Sequence, residues 1–140
     1  MGKIDFSDLE ALRLSFKEIA DLPDEVIDEM LNAEADIIVD AQKQSAREYQ
    51  IHDTGLEIES IGKSKVKTSV DGKCIHVYPQ GSRTRGGITT RNAEIGFIAE
   101  FGKHGVDARP FIRDANEKAA DQAVDAAAKI YDRYLSSKKL

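Results

Sequence analysis

Apolar side chains recur every three or four positions at both ends of this chain and every second position in its middle, and the two periods predict its elements. Leu9, Leu12, Phe16 and Ile19 line one stripe of a short helix over residues 7–20. Ser7 and Glu10 stand at the spacing at which each side chain bonds the other's free backbone N–H. Leu22-Pro23 ends that helix, and a second one runs from Pro23 to about Tyr49. Asp24, Glu25, Asp28 and Glu29 lie near its positive N-terminal end. Ile27, Met30, Leu31, Ile37, Ile38 and Ala41 form its apolar side, opposite Glu34, Asp36, Asp40 and Lys43.

Beyond it, Gly55 and Gly62 punctuate a stretch holding Leu56, Ile58 and Ile61, compatible with a helical turn capped by Thr54 or with a brief strand. Asp71-Gly72 is a two-residue hairpin signal, because a type I′ turn needs positive φ at both central positions. Pairing Val70 with Lys73 places Val66, Thr68, Val70, Ile75 and Val77 on one face, with Lys65, Lys67, Ser69, Cys74, His76 and Tyr78 on the other. Residues 80–92, QGSRTRGGITTRN, hold almost no apolar side chain and read as a mobile loop. Ile95, Phe97, Ala99 and Phe101 then alternate with Glu94, Gly96, Ile98 and Glu100, which predicts a strand ending at Gly102. A last helix starts near Pro110, with Ile112, Ala115, Ala119, Ala123, Ala126, Ile130 and Tyr134 on one stripe. Its small residues suit close packing on a sheet or on another helix.

The fold expected from these elements is α+β: two N-terminal helices, a small antiparallel sheet of three or four strands, and a C-terminal helix packed on the sheet's apolar face. With 140 residues it is one domain, 1–140, with a helical extension at 1–22 and the flexible loop at 80–92. No apolar run reaches the roughly 18 residues needed to span a bilayer. The opening MGKIDFSDLEAL has no secretory pattern, so the chain is expected to work where it is made.

Charge adds an asymmetry. Residues 1–61 carry 16 acidic against 5 basic side chains, net −11, and residues 62–140 carry 9 against 15, net +6. Acidic helices lying over the basic part of the same molecule would explain this. So would a head-to-tail contact in which one copy's acidic side meets the next copy's basic side.

Candidate chemistry is sparse. His52, His76 and His104 share no ligand spacing, Cys74 is alone in a strand-like run, and no phosphate-loop or nucleophile-elbow pattern occurs. No catalytic, cofactor-binding or metal-binding residue is assigned. Arg83, Arg85 and Arg91 give the 80–92 segment a basic character suited to phosphate. The chain is acidic overall, however, and the segment has no aromatic on which bases stack. Non-specific DNA contact, folding onto a protein partner and plain solvation all fit, and a small enzyme without a recognisable motif is a further alternative.

The segment EFGKHGVDARPFIRDA carries the most specific pattern. Gly102 ends one element, and Pro110 pre-sets the next helix while holding Arg109 extended. Phe111 is placed to fill the gap between the two. Arg109 has two readings, a bond to nearby carbonyls or a carboxylate, and an approach to a neighbouring subunit. Together with Thr54-Gly55-Leu56, Ser60-Ile61, Glu100-Phe101-Gly102, Ala108-Arg109-Pro110-Phe111 and Asp114-Ala115, in this order across residues 24–135, the chain resembles the tail-component family of lambdoid siphophages. These are neck or tail-completion proteins similar in role to the minor tail protein Z of phage lambda. Lys103 departs from the commoner threonine after EFG, and the 7–20 helix is an addition. The resemblance implies a non-enzymatic virion protein of the neck or tail, assembled in the host cytoplasm. It also implies a ring-like homo-oligomer partnered by other neck or tail proteins, with no cofactor and no membrane contact.

Overall fold

The computed structural model describes residues 22–54, 56–70 and 72–138. Helix α1 (Asp24–Glu48) is followed by two 3-10 turns, Ile51–Thr54 and Ile58–Ser60. Six short strands come next: β1 (Ile61–Lys63), β2 (Lys67–Ser69), β3 (Gly72–Cys74), β4 (Val77–Pro79), β5 (Ser82–Arg85) and β6 (Ile88–Arg91). Helices α2 (Asn92–Phe101) and α3 (Phe111–Ser137) complete the order. The class is α+β. The expected 7–20 helix lies outside the described residues.

α1 starts where the pattern placed it. The Pro23 carbonyl accepts from the N–H groups of Val26 and Ile27, and acidic Asp24 and Glu25 occupy the first turn. α3 runs antiparallel along α1, since Arg133 bonds Glu29 at one end (3.2 Å) and Tyr49 bonds Asp114 at the other, with Gln42 reaching Asn116 between them (3.1 Å). Ala115, Ala119, Ala123, Ala127 and Ile130 are the buried stripe of α3, and Ala35, Ser45 and Ala46 are buried on α1. Small residues on both helices bring the backbones close.

This corrects the expected packing of the last helix on a sheet. No single sheet of three or four strands forms among the described residues. The strands pair as three two-stranded antiparallel ladders, β1 with β4, β2 with β3 and β5 with β6. Strands of three or four residues offer too little apolar surface to seat a long helix, whereas α1 offers a matching stripe. The first hairpin is where Asp71-Gly72 predicts it, but its register is Ser69 opposite Gly72 and Thr68 opposite Lys73. Val70 therefore stands at the turn, fully exposed, and not on a core face.

Two further expectations are overturned. Residues 94–101 are not a strand but the body of α2, whose buried positions Asn92, Ile95, Gly96, Ala99 and Glu100 follow the helical period. Residues 80–92, expected as a loop, contain the β5–β6 hairpin. Gly86 and Gly87, at φ +57° and +78°, make its two-residue turn, and Thr84 and Thr89 bond across it (2.9 Å).

The core gathers Ala46, Ile51, Leu56, Ile61, Ile95, Ala99 and Phe111, with Phe111 fully buried. Charge complementarity is largely internal. Lys73 bonds Asp28 (2.8 Å) and lies 3.6 Å from Asp24, Lys63 bonds Asp36 (2.7 Å), and Lys43 and Arg47 share Glu59. Asp24, Asp28 and Asp36 of α1 are thus paired with lysines of β1 and β3.

Candidate functional site

The elbow that the sequence singled out is a joint between the ends of three helices. α3 opens after Pro110, which has no side-chain cap to offer. The cap comes from α2: Glu100 accepts from the backbone N–H of Ile112 through Oε2 (2.8 Å) and of Arg113 through Oε1 (3.0 Å). One carboxylate satisfies two orphan donors and meets the positive end of the helix dipole. It is 8% exposed.

Gly102 makes the turn out of α2 possible. Its φ of +74° with ψ of 179° is a region open essentially to glycine alone. A Cβ there would lie 2.6 Å from the Val106 carbonyl oxygen and 2.9 Å from the Ala108 nitrogen. The chain returns at once, the Arg109 N–H donating to the Ala99 carbonyl (2.6 Å). The Arg109 guanidinium extends toward the carbonyls of Tyr49 and Gln50, at 3.4 and 3.5 Å from Nη1, where α1 ends. Contact with carbonyls, one of its two expected uses, is observed. Phe111 then enters the core beside Leu56 and Ile61. Of the residues in the sequence pattern, Leu56, Ile61, Glu100, Gly102, Arg109, Pro110 and Phe111 meet in this joint, while Gly55 lies outside the described residues.

Phe101 does not join them. It is 66% exposed, and one turn earlier Phe97 is 62% exposed, with ring centroids 4.7 Å apart and planes tilted by 48°. α2 therefore has a buried side pinned to the body and an outward side built on an aromatic pair. Ile88 and Val106, in the segments flanking α2, are exposed as well. Four of the seven exposed large apolar side chains among the described residues thus fall between 88 and 106 in the sequence, and Phe97 and Phe101 are the two in ring contact.

The three arginines of the hairpin do not form one patch. Arg83 pairs with Thr90 and Arg85 with Ile88, whereas Arg91 pairs with Ser82, so strand alternation turns Arg91 to the face opposite the other two. Arg91 is held by Glu94 at 2.7 Å, and Arg83 is half-buried, with its Nη1 enclosed. A phosphate track would need the three on one side.

Between α1 and α3 lies an open groove of about 750 Å³, floored by Ala41, Ser45, Ala115 and Ala119 and edged by Glu48, Asp114, Glu117 and Lys118. A second cleft, between the helices and β4, is lined by Gln42, His76 and Tyr78, among others. Gln42 is buried there, with its Oε1 enclosed. The Cys74 sulfur, half-buried as its place in a strand-like run suggests, lies 3.8 Å from His76 Nε2. No group of metal-ligating residues occurs among the described residues, and no helix there is long and apolar enough to cross a membrane.

Sequence reasoning missed two features of this surface. The outward aromatic pair was hidden by reading 94–101 as a strand. The role of Glu100 was hidden because the N–H groups it caps lie across the elbow. The chain matches no protein-family model, and no curated protein or solved structure matches it either.

Proposed function

We propose that this protein is a structural component of a phage neck or tail end, working in tail completion or head–tail joining as a ring of identical subunits. The observation that carries this reading is the joint. The short segments by which the sequence resembles the siphophage tail components, scattered from Leu56 to Phe111, converge on one core cluster and one pair of helix ends. A resemblance carried by residues that build a single structural unit is harder to produce by chance than one carried by scattered surface positions. The exposed aromatic side of α2 adds a surface suited to protein contact. In this reading the protein is not an enzyme, its partners are sister copies and other neck or tail proteins, and it is found in the virion after assembly in the host cytoplasm.

The test is genetic. Deleting the gene from a phage or prophage that carries it is expected to yield unjoined heads and tails, or unfinished tails, in electron micrographs, with infectious titre restored by the wild-type gene in trans. A complementing copy lacking residues 82–90 separates fold from assembly. The hairpin base is closed by the Asn92 N–H on the Gly81 carbonyl (2.9 Å), so excision leaves the flanking chain ends adjacent. That copy is expected to fold and yet fail to restore joining. Normal infectious particles from the full deletion would overturn the reading.

A further inference from the structure

We propose that Phe97 and Phe101 of one copy insert into the groove between α1 and α3 of the next, so that copies of this chain associate head to tail. The inference rests on the ring reading only in taking a sister copy as partner. Four observations carry it.

The first is the ridge. Two phenylalanines in tilted ring contact, each about two-thirds exposed, project from a helix whose other side is fixed. The second is the groove, whose alanine and serine floor leaves room for aromatic rings between two helices. An aromatic side chain buries about 150–250 Å² in all, and about two-thirds of that is still exposed on each of these rings. The pair thus supplies about a third of the roughly 800 Å² per partner typical of a specific contact.

The third is charge. The groove is edged by Glu48, Asp114 and Glu117 against Lys118, with Arg113 beside Asp114 at 3.4 Å. The segments flanking the ridge carry exposed Arg85 and Lys103 against Asp107, with Arg91 already paired to Glu94. Opposite signs at the two rims favour this pairing and disfavour ridge against ridge.

The fourth is immobility. Glu100, on the same helix as the two rings, is bonded to the start of α3, so α2 cannot turn its ridge into its own groove. The contact is therefore between molecules, and because ridge and groove are different patches it is heterologous. Such a contact closes a ring when its rotation permits.

Two double variants and their mixture test this by sedimentation velocity. Phe97→Ser with Phe101→Ser removes the ridge, and Glu48→Lys with Glu117→Lys reverses the groove rim. All four side chains are exposed, so both proteins should keep the parent's circular dichroism and urea midpoint. The wild-type chain is expected to associate with rising concentration, and each variant alone to weaken that association by at least about tenfold. An equimolar mixture retains one intact ridge and one intact groove, and is expected to form dimers that grow no further. A wild-type chain that stays monomeric at millimolar concentration overturns the proposal. So does a ridge variant that assembles normally, or a mixture no more associated than its components, which is the signature of a self-complementary interface. The genetic test above is independent of which surfaces join the copies, so either reading can fail without the other.

Discussion

The Tyr49 hydroxyl donates a hydrogen bond to the Asp114 carboxylate, tying the residue that closes α1 to the first turn of α3. This bond is the main cause holding the Asp114 carboxyl below the usual carboxylate range, with Arg113 assisting. The same bond, with burial, raises the Tyr49 hydroxyl above its ordinary value. The depressed acid stabilises the fold above its unfolded-state pKa of about 3.9 and ceases to do so as pH falls through its folded value. The raised phenol stabilises below about 10 and ceases to do so as pH rises through its folded value. Tyr49→Phe is therefore expected to flatten both the acid and the alkaline limb of a Tm-against-pH profile. A variant profile parallel to the parent's over the whole range would contradict the coupling.

Glu100 caps α3 from another helix, so its loss strands two backbone donors in a buried place. Glu100→Ala is expected to cost about 1.5–3 kcal/mol, read as a lower urea midpoint at unchanged m. Glu100→Gln keeps an oxygen acceptor for one donor and should fall between parent and Ala. If both variants match the parent, the cap contributes nothing.

Gly102 combines a glycine-only backbone with contacts that leave no room for a methyl group. The conformation alone penalises alanine by about 1–3 kcal/mol. Overlap with two backbone atoms adds to that, because neither can swing aside as a side-chain tip would. Gly102→Ala should lower Tm more than any exposed substitution in the chain, and a parent-like Tm in thermal melts would show that the elbow relaxes.

Phe111 and Phe97 form an internal control. Phe111 is fully buried and Phe97 mostly exposed. Phe111→Ala is expected to cost about 3–5 kcal/mol, and Phe97→Ala to change stability by less than about 0.5 kcal/mol while weakening self-association. Equal losses of stability in urea unfolding would mean that the aromatic side of α2 is part of the core after all.

The long helices were legible because their apolar stripes persist over many turns. Pro23 and Pro110 marked their starts, and Asp71-Gly72 placed a hairpin to within one residue. α2 was illegible for a physical reason. Its outward Phe97 and Phe101, added to the buried Ile95 and Ala99, complete an every-second-residue pattern that imitates a strand, whereas burial follows 92, 95, 96, 99 and 100. An apolar pair on the exposed side thus erases the amphipathic signal that would have revealed the helix. The β5–β6 hairpin carried its own signal, two adjacent glycines between threonine- and arginine-bearing arms, but low hydrophobicity outweighed it. The joint was legible as a place and not as a mechanism. Pro110 and Phe111 announced a helix start, but nothing local to them shows that a glutamate from the preceding helix completes it.

The closed neck of the β5–β6 hairpin also makes it a module. Because Asn92 grips both the Gly81 and the Gln80 carbonyls, what projects beyond them is joined to the body through a clasp and not through the core. A fluorophore or affinity tag grafted between Gly86 and Gly87 would ride on that clasp without disturbing the three helices, placing a reporter at a known address on the protein.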